Sequence, residues 1–242
     1  MHVWALAALV IEAMALVGVL GILITRRTHI AFAVGFNTMV VVAALYIFTA
    51  PPVRARHLIM LAMVLLYAAH MNWLLLFKSR QTAIGKIDTR LPPAQKLLMA
   101  VLLTNAVGWA YCLPFYFGAR RTAPLSLMDG LAVLVYIVGT VIHFGSDYQK
   151  QRFKGRPGTK GKLLTTGFWG LCRHPNYFGD FLIYIAFALI GGSLWGWIAP
   201  LVNFLQYRFD AIPKNEHWAA EHYGAQWEAY RQRVRMFIPF LY

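Results

Sequence analysis

Residues 3–25 read VWALAALVIEAMALVGVLGILIT, with Glu12 the only ionisable group. A helix of that length rises about 34 Å, enough to cross a hydrocarbon core about 30 Å thick. No basic segment precedes the stretch and Glu12 interrupts it, so it reads as a retained helix, not a cleaved signal. Further apolar stretches follow at 29–50, 57–77, 97–118 and 128–146 and, after a polar loop, at 178–207. The last is long for one crossing and short for two. Gly191 and Gly192 split it, so a tight helical hairpin is expected. Open strand edges cannot face lipid, so the crossings are helices. The expected fold is an all-α polytopic membrane protein with about seven crossings. Residues 1–242 form one membrane domain: five helices over 1–146, then a loop, the hairpin and an amphipathic end over 147–242.

Composition agrees. Of the 242 residues 59% are hydrophobic and 13% charged, against roughly 25% charged in soluble domains. The net charge is +14. On a soluble protein that would suggest nucleic acid, but here the cations fall in the loops between spans, and no nucleic-acid partner is expected. With the N-terminus outside, 19 Lys and Arg lie on the cytosolic side and 4 outside. The positive-inside rule therefore puts the C-terminus in the cytosol of a bacterial inner membrane or the endoplasmic reticulum. Cys112 lies in an apolar span and Cys172 in a basic loop. That placement argues against a disulfide, and neither has metal-ligand spacing, so no metal is expected. Residues 215–235 read as an amphipathic helix, or two short ones broken near Gly224. Trp218, Tyr223, Trp227 and Tyr230 would form an aromatic face suited to the membrane interface.

Chemical polarity concentrates in 147–180, DYQKQRFKGRPGTKGKLLTTGFWGLCRHPNYFGD. Six cations fall between Lys150 and Lys162. Such a cluster suits a polyanion such as a dinucleotide's phosphates, and equally a solvated loop touching anionic lipid. Arg173, His174, Pro175, Asn176 and Tyr177 stand where the loop enters the sixth helix. Pro favours the first helical position, and the free N–H groups of a helix start suit an anion. Trp169 could stack on a base or a nicotinamide, or sit in an interfacial belt.

The pieces QKQRFK, KLLTTGFWG, RHPNYFGD and the closing YGAQWEAYRQRVRMFIPFLY resemble, in order and spacing, the C-terminal signature of the steroid 5-alpha-reductases and the sterol C14- and C7-reductases. The resemblance covers roughly residues 143–242. It implies a polytopic, NADPH-dependent lipid reductase. By the same resemblance, Lys150 and Lys154 stand near the cofactor's phosphates, and Leu164 and Trp169 in the nicotinamide-nucleotide pocket. Asn176 and Tyr177 hydrogen-bond the cofactor, Asp147 and Asp180 match acidic positions of that site, and Tyr223 and Tyr230 match tyrosines of the C-terminal pocket. Arg173 and His174 belong to the same motif. An acidic pair of the sterol reductases reads Asn215–Glu216 here, so only Glu216 is carried over. The Gln-Glu pair with which the 5-alpha-reductases engage the steroid ketone is missing, which leaves the lipid end unassigned by resemblance. RHPNY alone also resembles the isoprenylcysteine carboxyl methyltransferases.

For the lipid end the residues themselves offer candidates. Glu12 is a carboxyl inside a span, a functional candidate by default: a proton donor, a group that orients a carbonyl, or a protonated acid bonded to a neighbouring helix. Tyr67 and His70 in the third span could donate to a developing enolate oxygen. Asn72 suits helix-to-helix hydrogen bonding. The reading is an NADPH-dependent reductase of a carbon–carbon double bond in a steroid, sterol or other isoprenoid-like lipid, with membrane lipids as its surroundings. The rivals are an S-adenosylmethionine-dependent lipid methyltransferase, whose cationic cofactor suits the basic stretch less well, and a lipid-binding scaffold without chemistry.

Overall fold

The computed structural model describes residues 2–51, 55–77 and 91–242, all helix, turn and loop with no strand among them. The chain divides into two compact units, Met1–Ala132 with Phe187–Ala199, and Val133–Ala186 with Pro200–Tyr242.

In the first unit, α1 (Val3–Thr25), α2 (His29–Phe48) and α3 (Ala55–Phe77) are single helices. The fourth stretch is α4 (Pro93–Ala106), which passes through one π turn at Val107–Tyr111 into α5 (Leu113–Arg120). Helix α2 packs against α1, α3 and α4. Small residues allow the close approach: Gly18 meets Ala100 and Val34, and Gly35 meets Leu103. The outward face of α1 shows Leu9, Leu16, Leu20 and Ile24 to the surroundings, as lipid contact requires. Among the described residues five helices are long and apolar enough to cross a membrane, these four stretches and α6 (Leu127–Lys154). The protein is thus a multi-pass membrane protein.

Composition gave no hint of a buried ionic knot in this unit. Arg56, counted in sequence as a loop cation, sits in the first turn of α3 at 2% exposure. Its Nε and Nη2 donate to the two carboxylate oxygens of Asp129 at 2.9 and 3.0 Å. Its remaining donors reach the carbonyls of Arg121, Ala123 and Pro124. Arg121 and the hydroxyl and N–H of Ser126 also donate to Asp129. Every oxygen of the carboxylate is satisfied, which is what makes burial of the charge tolerable.

In the second unit α6 runs on to Lys154, two turns past the expected end of its span at 146. Asp147, Lys150 and Lys154 therefore lie on a helix, at spacings of three and four that share a face. The short α7 (Phe168–Leu171) leads into α8 (Pro175–Gly191). Gly179 of α8 lies so close to α6 that a Cβ would come within 2.4 Å of the His143 backbone nitrogen, and one on Gly139 within 2.8 Å of the Gly179 carbonyl. The glycine of the RHPNYFGD motif is thus a helix-crossing residue. After Gly191 a sharp turn follows, with Gly192 at φ +66, and the chain returns as α9 (Ile198–Gln206). The hairpin is formed, but its second arm does not stop at 207. A π turn at Tyr207–Ala211 carries it directly into α10 (Ile212–Tyr223), and Gly224 at φ +50 separates that helix from α11 (Ala225–Arg233).

The aromatic residues of α10 and α11 do not form an interfacial face. Trp227 and Tyr230 are buried with Ala219, and Trp218, Tyr223 and Leu163 pack around them. Burying the rings against the polypeptide removes more apolar surface from water than laying them along headgroups.

Candidate functional site

The site is built from the end of α6, the loop to α8, and α10–α11, all within the second unit. Gln149 on α6 positions the loop: its Oε1 accepts from the Phe168 N–H at 3.0 Å and its Nε2 donates to the Thr166 carbonyl at 2.9 Å. That brings Trp169 under α6, where its indole N–H donates to the Ser146 carbonyl at 3.1 Å. Lys150 Nζ lies 4.5 Å over the same ring, within cation–π range. From the other side the Tyr230 hydroxyl donates to the Trp169 carbonyl at 2.6 Å. Trp169 is 8% exposed. Gln226 of α11 fastens the loop, accepting from the Leu163 N–H and donating to the Gly161 carbonyl.

The RHPNY segment is held as firmly. Arg173 forms a fork on Glu216, Nε to Oε1 at 2.7 Å and Nη2 to Oε2 at 3.1 Å. Its Nη1 donates to the carbonyls of Arg231 and Val234. His174 Nε2 stands 3.1 Å from Glu216 Oε1. Burial holds the His174 imidazole below its ordinary range, against the opposing pull of Glu216. For Glu216 burial alone would raise the carboxyl, but hydrogen bonds from His174 and Arg173 bring it below the usual carboxylate range. The pair is a neutral imidazole on an ionised carboxylate. Burial pushes the Cys172 thiol up to about 12, so it is inert.

Rings then stack in a column, His174 on Tyr177 at 5.5 Å and Tyr177 on Tyr207 at 4.4 Å. Asn215 Nδ2 donates to the Tyr177 hydroxyl at 2.7 Å. Asp180 is 2% exposed, and its Oδ2 accepts from the Tyr207 hydroxyl at 2.5 Å and from Asn203 Nδ2 at 3.0 Å. The backbone carbonyl of Asn176 accepts from His143 Nδ1 at 2.7 Å. Among the described residues no hydrogen bond engages the Asn176 side-chain amide. Asp147 is partly buried, its Oδ2 3.9 Å from His143 Nε2. Leu164 and Tyr223 are half-buried, and Lys154 is exposed with Arg152, Arg156, Lys160 and Lys162.

The structure therefore gathers the thirteen expected cofactor positions from Asp147 to Tyr230 into one unit, but divides its members in two. Arg173, His174, Glu216, Tyr230 and the polar edge of Trp169 are engaged in holding the backbone. Among the described residues no hydrogen bond engages the side-chain polar groups of Asn176 and Tyr223, and Arg152, Lys154, Arg156, Lys160 and Lys162 are exposed. Asn203, Tyr207, Asn215, Gln149 and Gln226 were not foreseen. The sequence signal for the first two was available, since Asn203 and Tyr207 are polar residues four apart inside an apolar stretch.

The lipid-end candidates lie in the first unit. Tyr67 is 1% exposed, edge-on to Phe36 at 5.6 Å and Phe187 at 6.2 Å. His70, one turn on, is half-buried beside Trp73. Glu12 is exposed on α1, a helix packed on α2 and α4, whereas α3 packs on α2 and α5. Asn72 exchanges side-chain hydrogen bonds with Asn37 of α2 at 2.9 and 3.3 Å, the helix-to-helix role expected of it.

A family described as "Protein of unknown function (DUF1295)" matches residues 19–234. The chain belongs to it. This DUF1295 protein falls in the steroid 5-alpha-reductase and sterol reductase superfamily. It is 31% identical over 156 residues to a Delta(14)-sterol reductase of Schizosaccharomyces pombe, covering 56% of this chain and 36% of that one. It is 29% identical over 154 residues to the Delta(14)-sterol reductase TM7SF2 of Mus musculus, covering 56% and 36%. To the 7-dehydrocholesterol reductase of Danio rerio it is 27% identical over 164 residues, covering 53% and 34%. The match spans only about a third of the length of these curated relatives.

Proposed function

We propose that the protein is an NADPH-dependent oxidoreductase that reduces a carbon–carbon double bond in a sterol, steroid or other isoprenoid-like lipid within the membrane. The observation that carries this reading is the stretch between Asp147 and Asp180. It contains no acidic residue, its cations from Arg152 to Lys162 are exposed, and it holds the Asn176 amide, which no described residue engages. The donor set fits a phosphorylated dinucleotide. Lys150, Arg152 and Lys154 offer charge for the phosphates. Asn176 offers both a donor and an acceptor, and Tyr223 and Leu164 offer half-buried surface beside them. When bound, the nucleotide supplies a hydride to carbon.

The chain's own residues fix the geometry. Glu216, through Arg173 and His174, anchors the loop on α10, so Asn176 is presented from the first turn of α8. Tyr67 and His70 share one face of α3 and are assigned to the reacting end of the lipid, with Glu12 tested beside them. The proposed topology is seven crossings with the N-terminus outside and the cofactor residues in the cytosol. The relatives' names support the reaction class.

The test is nucleotide binding by the detergent-solubilised protein. NADPH should bind more tightly than S-adenosylmethionine, with affinity falling as salt rises. Asn176→Ala should cost about 1–3 kcal/mol of NADPH binding, roughly 5- to 150-fold in affinity. Tight, salt-insensitive binding of S-adenosylmethionine with none of NADPH would assign the protein to lipid methylation.

A further inference from the structure

Asn203 on α9 is 3% exposed. Its Nδ2 donates to Asp180 Oδ2, while its Oδ1 is buried with no hydrogen-bond partner among the described residues. Turning the amide over does not cure this. Asp180 Oδ2 already accepts from the Tyr207 hydroxyl, so a reversed amide would set one acceptor against another. The three groups thus fix Asn203 with its donor inward to Asp180 and its acceptor unpaired. A buried acceptor left alone is costly, and hydrocarbon offers no donor in compensation. Asn203 also adjoins the ring column described above, through Asp180. It lies one helical turn before Tyr207, whose ring stacks on Tyr177, the neighbour of Asn176.

We propose that Asn203 Oδ1 is the acceptor of a ligand subsite that takes one N–H or O–H donor, with Asp180 and Tyr207 as the positioning residues that aim it. The inference rests on the reductase reading for its two possible donors. One is the carboxamide of the nicotinamide ring, the other a hydroxyl of the lipid. An amide or hydroxyl needs only the single acceptor.

Full-length protein in detergent distinguishes the donors. The first arm compares binding of NADPH with its reduced 3-acetylpyridine analogue, in which a methyl ketone replaces the amide N–H groups. The second compares thermal stabilisation by cholesterol and by cholest-5-ene, its 3-deoxy counterpart. The parent should prefer the donor-bearing member of one pair by about 5- to 150-fold. Asn203→Leu, of similar size without an acceptor, should erase that preference and leave the other pair unchanged. Tyr207→Phe, which loosens Asp180 but keeps Asn203 Oδ1, should weaken the preference without erasing it. If Asn203→Leu fails to fold, Asn203→Ala carries the same comparison. Loss of preference in the first arm identifies the nicotinamide as donor, and in the second the lipid. A preference untouched by the substitution, or none in the parent in either arm, overturns the subsite, and a buried water is then the partner of Asn203. NADPH binding with both arms unaffected sinks this inference alone. No NADPH binding by the parent sinks the reductase reading, and the second arm then decides the subsite.

Discussion

Arg173→Lys separates two roles for one residue. By resemblance Arg173 belongs to the cofactor motif, yet its guanidinium is occupied within the fold. Two donors form the fork on Glu216 at 2.7 and 3.1 Å, and Nη1 serves the carbonyls of Arg231 and Val234 at 3.1 and 2.8 Å. The side chains are 11% and 21% exposed, so solvent screens the pair little. Lysine keeps the charge but not the fork. It can retain one contact to Glu216 and must give up the second, together with the carbonyl contacts. Hydrogen bonds to charged groups are worth about 1.5–3 kcal/mol each and do not add fully, so a loss of about 2–4 kcal/mol is expected. The loss should be localised, because those carbonyls belong to the end of α11 and the segment after it. The assay is thermal unfolding in detergent, with amide hydrogen exchange read peptide by peptide. Exchange should accelerate over 230–242, while NADPH affinity, measured well below the transition, changes by less than about threefold. That bound corresponds to roughly 0.7 kcal/mol. Unchanged stability with a large fall in NADPH affinity would refute the reasoning and return Arg173 to the phosphates.

Three further outcomes follow from the same structure. Arg56→Met strands the Asp129 carboxylate in a buried setting and should cost about 3–5 kcal/mol; the double change Arg56→Met with Asp129→Leu should recover much of it, and thermal unfolding of both variants checks this. Stability should fall on acidification. His174, held below its ordinary value near 6.5, stays neutral in the fold while the unfolded chain takes up its proton, so stability falls from about pH 6.5 downwards. Glu216, depressed below about 4.3, contributes above that value and is lost as pH falls further; His174→Gln should flatten the first part of the profile and leave the second, and a profile with no change above pH 5 would contradict it. Both native cysteines are fully buried and should resist a maleimide, so introduced cysteines report topology without a cysteine-free background. One at position 158 should label from the cytosolic side and one at position 123 from outside, and reversed labelling would overturn the orientation.

Periodicity and charge made the class of fold legible. Apolar runs of bilayer length announce membrane helices because lipid leaves the backbone no other way to satisfy its N–H and C=O groups. The Gly191–Gly192 turn and the break at Gly224 were legible for a similarly local reason, positive φ at a chain reversal or helix end. The sequence likewise marked the basic stretch and the RHPNYFGD segment as the place for chemistry. It could not divide that segment's labour. Arg173 and Asn176 are both polar and three residues apart, and only the approach of Glu216, 43 residues on, assigns one to the scaffold and leaves the other's amide unengaged. The same holds for Arg56, read as a loop cation until Asp129, 73 residues away, buries it. It holds too for Trp227 and Tyr230, whose rings suited a headgroup layer until Leu163 and Ala219 closed over them. Sequence alone determined what each segment is, because helix length and polarity are local properties judged against a fixed solvent. Tertiary structure decided what each polar group is for, because burial and the partner that compensates it come from residues far along the chain.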